Sequence, residues 1–238
     1  MINFEFMDRQ KLASALRVNE DIKIEKIDYG DFSYLRIKNF LKNPEGAIEF
    51  LSKYPAITQF AGAKQSFTPL DLVPLLKTYK SIMATVNVEI DLMGFITTSN
   101  IHWKGVNLPT NTEGGRWWPH TDTEVVCNLW LCDYEGGTAF YKYKGFSNVK
   151  DIEAPSFRNN KQSVPWQNFE GDDDWELYYI IPSQFNTLAI YDGTNFHSAY
   201  ADFNDEYRYS LVSFYWPDRK FSYNPRRDSH LLDSKISV

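Results

Sequence analysis

A mainly β fold of the sandwich or barrel kind, with a helical annex toward its N-terminus, is what this 238-residue sequence predicts. Three observations carry that reading. From Val88 onward, short β-branched and aromatic runs alternate with breaks of Gly, Asn, Asp and Pro, the rhythm of antiparallel strands rather than of βαβ units. Before Val88, capped helical patterns dominate. A composition of 43% hydrophobic and 16% aromatic residues is enough to bury one substantial core.

In chain order, DRQKLASALRV has helical spacing at Leu12, Leu16 and Val18, and DIKIEKI alternates apolar and charged residues with one slip, so helix then strand is expected. NPEGAIEFLSKYP predicts a helix near residues 44 to 54, with Asn43 as cap, Pro44 in the first turn and Pro55 beyond the end. TPLDLVPLLKTYKSIMATV predicts another near residues 68 to 84, capped by Thr68, with Pro74 as a point of breakage. Seven strand candidates follow: VEIDLMGFITTSNIHW, TEVVCNLWLCD, GTAFYKYKG, WELYYIIP, NTLAIYDG, FHSAYADF and RYSLVSFYW. Gly136 and Gly137 are expected in a turn joining two strands. Residues 147–174 are polar, hold two prolines and the acidic run EGDDDW, and have no sustained period. They predict a long solvated loop inserted in the β region, with a lid over a site as its functional alternative. One domain results: residues 1–87 as a helical and strand buttress, 88–220 as the core, and 221–238 as a tail.

A net charge of −6 without a long basic run argues against a protein that grips a nucleic-acid backbone. Cys127 and Cys132 make no disulfide framework and no repeated thiolate pair, so they are expected as buried small apolar residues in a reducing cytoplasm. The segment MINFEFMDRQ does not read as a signal peptide, and no run approaches the roughly 18 apolar residues of a membrane span.

The chemistry-bearing stretch is WWPHTDTEVVCNLWLCDYEGGTAFY. Side chains two apart on a strand share a face, so His120 and Asp122 can reach one ion. Alone the pair is weak: four histidines and 31 acids in 238 residues produce a histidine two before an acid roughly 0.5 times by chance. His197 lies on a later strand and can supply a third ligand. Two imidazoles and one carboxylate leave several positions open on a metal, which suits non-haem Fe(II). Downstream, Arg208 and Ser210 share strand parity with Val212, Phe214 and Trp216, and a guanidinium fork facing an apolar interior asks for a carboxylate partner.

The ordered set of HxD, distal His and Arg-x-Ser resembles the 2-oxoglutarate and Fe(II)-dependent oxygenases. CNLWLCDYEGGTAFY is similar to the strand and glycine turn after the HxD in their prolyl-hydroxylase-like branch. The resemblance spans roughly residues 117 to 216. It implies a double-stranded β-helix, a cupin-like jelly-roll barrel, with His120, Asp122 and His197 as iron ligands. It further implies Arg208 on the distal carboxylate of 2-oxoglutarate, Ser210 as secondary partner, and Asn128 or Trp130 where the branch often has a co-substrate tyrosine. Trp117 replaces the tyrosine usual three residues before the HxD histidine. The implied reaction consumes O2, converts 2-oxoglutarate to succinate and hydroxylates a small-molecule or peptidyl substrate, a prolyl or other amino-acid side chain being the first expectation.

Trp117, Trp118 and His102 are candidates for the pocket wall, because aromatic faces line small-molecule sites, whereas His230 fits no ligand spacing. Each residue alone has a plainer structural reading as a core, turn or surface group; the four in order carry the chemistry. Two other classes are weighed: a cupin-like metal enzyme that does not use 2-oxoglutarate, against which Arg208 and Ser210 count, and a non-catalytic binding module, against which the triad counts.

Overall fold

The computed structural model describes residues 14–52, 56–58, 64–66, 73–86, 119–148, 168–201 and 210–215. In chain order the elements are β1 (Ile24–Tyr29), β2 (Phe32–Lys38), α1 (Pro44–Ser52), β3 (Ala56–Thr58), β4 (Lys64–Ser66), α2 (Val73–Thr85), β5 (Val125–Trp130), β6 (Tyr134–Tyr143), β7 (Trp175–Ser183), β8 (Thr187–Tyr191), β9 (His197–Ala201) and β10 (Ser210–Tyr215). A five-stranded sheet runs β1-β2-β8-β5-β10 and a three-stranded sheet runs β7-β6-β9, with β3 and β4 pairing apart from both. Every pairing is antiparallel. The chain is thus mainly β, as its punctuated pattern predicts.

The five-stranded sheet is apolar on both faces, and strand parity sorts its residues. Leu35, Ile37, Cys127, Leu129, Leu188, Ile190, Leu211 and Tyr215 pack outward against Leu75, Tyr79, Ile82 and Met83 of α2 and Ala47 of α1. Phe32, Tyr34, Val126, Trp130, Ala189, Tyr191 and Val212 face inward, where Phe140 of β6 and Ile181 of β7 meet them from the smaller sheet. Two sheets with interdigitated inner faces and a helical cover on one outer face are therefore the arrangement that positions everything else.

Four expectations change. FSYLRIK is a strand, β2, although its pattern did not announce one. It lies between β1 and β8 and buries Phe32 and Tyr34 on one face and Leu35 and Ile37 on the other, so clean alternation is lost. Residues 24–38 accordingly belong to the larger sheet rather than to a layer behind it. Pro74 does not break α2: the described helix begins at Val73, and proline in a first turn lacks only an N–H that has no intrahelical acceptor there. Gly136 and Gly137 lie inside β6 at a register shift rather than in a turn, and a Cβ on Gly137 would stand 1.8 Å from the Ile181 carbonyl oxygen.

Asn43 caps α1 as expected, its Oδ1 accepting from the Gly46 amide at 3.0 Å. Cys127 is buried and Cys132 half-buried, and no disulfide joins them; burial holds the Cys127 thiol well above its ordinary pKa. The Asp172–Asp174 acids are exposed and lead into β7, Asp172 Oδ1 accepting the Trp175 amide at 3.0 Å. The candidate strand at 88–103, the Thr68 cap, residues 149–167 of the long loop and the 221–238 tail lie outside the described residues. No helix among the described residues is long and apolar enough to cross a membrane.

Candidate metal centre

Two connections that pass between the sheets build the site. Residues 192–196 lead from β8 in the larger sheet to β9 in the smaller one. Residues 119–124 lead into β5 and lie beside them: His120 N–H donates to the His197 carbonyl at 2.8 Å, His197 N–H returns the bond at 2.9 Å, and Asp122 N–H donates to the Gly193 carbonyl at 2.7 Å. His120 and Asp122 thus stand in a crossover segment with one β-bridge, not in a regular strand as the parity argument assumed. Cross-pairing with His197 and Gly193, rather than a pleat of their own, brings them together.

Gly193 is a site residue that the sequence reading missed. A Cβ there would lie 2.3 Å from the Thr123 carbonyl oxygen, 2.5 Å from Val126 Cγ2 and 3.2 Å from Asp122 Cβ, so only glycine lets the two connections approach this closely. The available signal was its place in YDGTNFH, an Asp-Gly pair directly before the distal histidine.

One ligand atom from each of His120, Asp122 and His197 lies within 4.8 Å of the others. His197 Nε2 is 3.1 Å and His120 Nε2 3.8 Å from Asp122 Oδ2. Metal–ligand bonds near 2.1 Å place adjacent ligands about 3 Å apart, so the cluster fits a small divalent cation after slight contraction. His197 is buried, Asp122 half-buried and His120 half-exposed, which leaves the His120 side accessible. Tyr191 stands edge-on to the His197 ring at 5.4 Å between centroids and Phe140 lies at 5.9 Å, an aromatic surround for the buried ligand.

Hydrogen bonding settles which nitrogen of His197 is available. Nδ1 lies 2.8 Å from the Asn195 carbonyl oxygen, which can only accept, so Nδ1 carries the proton. In the neutral ring Nε2 then presents a lone pair to the carboxylate oxygen 3.1 Å away. Two facing acceptors require a cation between them, either a proton or a metal ion. Burial alone would raise the Asp122 pKa, but the hydrogen bond and charge of His197 and the charge of His120 outweigh it, and the net shift is downward. Asp122 is therefore held as the anionic member of the set.

Of the other expected site residues, Asn128 and Trp130 are buried on the inner side of β5 and Ser210 is buried at the head of β10, opposite Trp130 in register. Asn128 Nδ2 donates to Thr138 Oγ1 at 3.4 Å, whereas Asn128 Oδ1 and Trp130 Nε1 have no hydrogen-bond partner among the described residues. Ser210, Val212 and Phe214 share the inner side, as their spacing predicts. Arg208, Trp117, Trp118, His102, Trp216 and His230 lie outside the described residues.

No family model matches the chain, and no curated protein matches it. Among solved structures it is similar to HygX from Streptomyces hygroscopicus, crystallised with nickel, 2-oxoglutarate and hygromycin B bound, at 12% identity and a TM-score of 0.45 over 78% of this chain and 83% of that one. It is also similar to SnoN, a non-heme alpha-ketoglutarate dependent epimerase from nogalamycin biosynthesis, at 12% identity and a TM-score of 0.45 over 86% and 81% of the two chains. A likeness at that level carries no argument about chemistry, which rests on the chain's own residues.

Proposed function

We propose that this protein is an Fe(II)- and 2-oxoglutarate-dependent dioxygenase, most simply a hydroxylase of an amino-acid side chain, with proline as the first candidate. The observation that carries the reading is the convergence of His120, Asp122 and His197 around one point, with a ring nitrogen and a carboxylate oxygen that require a cation between them. Iron bound there supplies O2 activation coupled to the oxidative decarboxylation of 2-oxoglutarate.

The chain's own residues do the rest. Asp122 contributes negative charge, and the Asn195 carbonyl keeps the His197 ring turned so that Nε2 faces the cation. Arg208 is the proposed clamp for the distal carboxylate of the oxo acid, with Ser210 beside it. Asn128 Oδ1 and Trp130 Nε1, which have no hydrogen-bond partner among the described residues, support this assignment, because buried polar atoms left unpaired in a core are costly unless something binds them. The aromatic surround of Tyr191 and Phe140 excludes water from the buried side. Closure of the two sheets into a double-stranded β-helix barrel, residues 88–220 as its catalytic core, and a cytoplasmic setting for two cysteines not joined in a disulfide complete the proposal.

The test is anaerobic. Adding Fe(II) and then 2-oxoglutarate to metal-stripped protein is expected to produce the visible charge-transfer band of a bidentate chelate, lost in His197→Ala and requiring more 2-oxoglutarate in Arg208→Ala. Metal binding with no such band at any 2-oxoglutarate concentration would overturn the reading in favour of a cupin-like metal enzyme that does not use the oxo acid.

A further inference from the structure

His197 is oriented by the Asn195 carbonyl, and the 192–196 turn that carries this carbonyl is held by a set of side-chain hydrogen bonds. Asp192 Oδ1 accepts from the Thr194 amide at 2.9 Å and from the Thr194 hydroxyl at 2.6 Å. The Asp192 carbonyl accepts from the Asn195 amide at 3.3 Å and from Asn195 Nδ2 at 2.9 Å. Across the turn stands Asn148, just beyond β6, bridged to Asn195 through the backbone, with the Phe196 amide donating to the Ser147 carbonyl at 3.0 Å. Asn148 Nδ2 donates to Thr194 Oγ1 at 2.9 Å and lies 3.3 Å from Asn195 Oδ1.

The polarity of this arrangement is determined. The single hydroxyl proton of Thr194 is engaged by Asp192, so its Oγ1 can only accept from Asn148. The Asn195 amide nitrogen is engaged by the Asp192 carbonyl, so its Oδ1 is likewise an acceptor. Two acceptors, on residues 4% and 8% exposed, therefore converge on position 148, and a primary amide supplies two N–H groups to meet them. A carboxylate of the same shape would meet two oxygens with none.

We propose that Asn148 is a positioning residue for the metal centre: by bridging Thr194 and Asn195 it holds the turn whose Asn195 carbonyl sets the His197 ring. This rests on the reading of His120, Asp122 and His197 as metal ligands. Outer partners of a ligating histidine change metal affinity by about 10–100-fold, and Asn148 acts through one more link, so the lower end, about tenfold, is expected.

The experiment is Co(II) titration of wild type, Asn148→Asp and Asn148→Ala in competition with a chelator, with the visible Co(II) spectrum as a readout of ligand geometry and thermal melting of the metal-free proteins alongside. Both variants are expected to melt cooperatively but below the wild type, bind Co(II) about tenfold more weakly and show altered ligand-field bands. Thr194→Val is expected to weaken binding similarly, and adding it to Asn148→Ala to cost less than the sum of the two. Should Asn148→Asp fail to fold, Asn148→Ala decides by the same readouts. Wild-type affinity and spectrum in a folded Asn148 variant overturn the positioning role while leaving the metal centre standing. Failure of the wild type to bind Co(II) overturns the metal centre and the positioning role together.

Discussion

The two sides of β5 make the most informative contrast in the molecule. Outward, Val125, Cys127 and Leu129 lie under the helices in the larger core. Its polar members, the Tyr79, Ser213 and Tyr215 hydroxyls, gather beside Cys127, the Tyr79 and Tyr215 rings meeting edge-on at 5.8 Å between centroids. Inward, Val126, Asn128 and Trp130 face the space between the sheets, the side on which Tyr191 and Phe140 reach the His197 ring. Both sides hold polar atoms with no hydrogen-bond partner among the described residues, yet only the inner ones share a face with Ser210 and the surround of the triad. An unpaired buried atom is therefore not by itself a mark of a site. Its value depends on what else opens onto the same space.

Substitutions on the two sides should separate along that line. Leu129→Ala, on the fully buried outer side, is expected to cost about 2–5 kcal/mol of stability in denaturant melts while leaving the Co(II) affinity of the folded fraction unchanged. Gly193→Ala, between the two connections, is expected to cost about 1–3 kcal/mol and also to weaken Co(II) binding, because the Thr123 carbonyl must move and Asp122 with it. Equal metal affinity in Gly193→Ala and wild type would show that the triad tolerates that displacement. Tyr79→Phe removes only a buried hydroxyl and should change stability by no more than about 1 kcal/mol, whereas Trp130→Phe also deletes part of a fully buried ring and should cost about 1–3 kcal/mol. Calorimetric titration should nonetheless show weaker 2-oxoglutarate binding for Trp130→Phe alone; a parallel loss in Tyr79→Phe would erase the distinction between the sides.

The smallest effect concerns pH. The Asp122 pKa is depressed in the folded protein, so its stabilising contribution is fully present above the ordinary carboxylate value of 3.8 and is lost as pH falls through the lower folded-state value. The stability difference between metal-free wild type and Asp122→Asn should therefore be flat from neutral pH toward that value and shrink only below it, as followed by urea melts. A difference that grew toward acid would reverse the assigned sign.

The β character, both helices and the identity of the triad were legible in the chain. Apolar, β-rich runs bounded by turn residues, such as TLAIY, and the Asn43–Pro44 cap are local features, set by backbone propensity within a few residues. His120, Asp122 and His197 were legible as candidate ligands because two imidazoles and one carboxylate, taken in order with Arg208 and Ser210, suit one metal ion. Strand β2 and the bulge at Gly136–Gly137 were not: the first is buried on both faces by neighbours far away in sequence, and the second is defined by the β7 backbone it meets.

By itself, then, the sequence determined which groups are available to a metal and the local elements around them, since composition and short-range periodicity act within a few residues. Only the tertiary structure decided that His120 and Asp122 sit in a crossover instead of a strand, that Gly193 admits the close approach, and that Asn148 bonds across the turn whose Asn195 carbonyl meets His197 Nδ1. Those features depend on two connections meeting in space, and contacts between segments some 70 residues apart (122 and 193) leave no period in the chain for a reader to find.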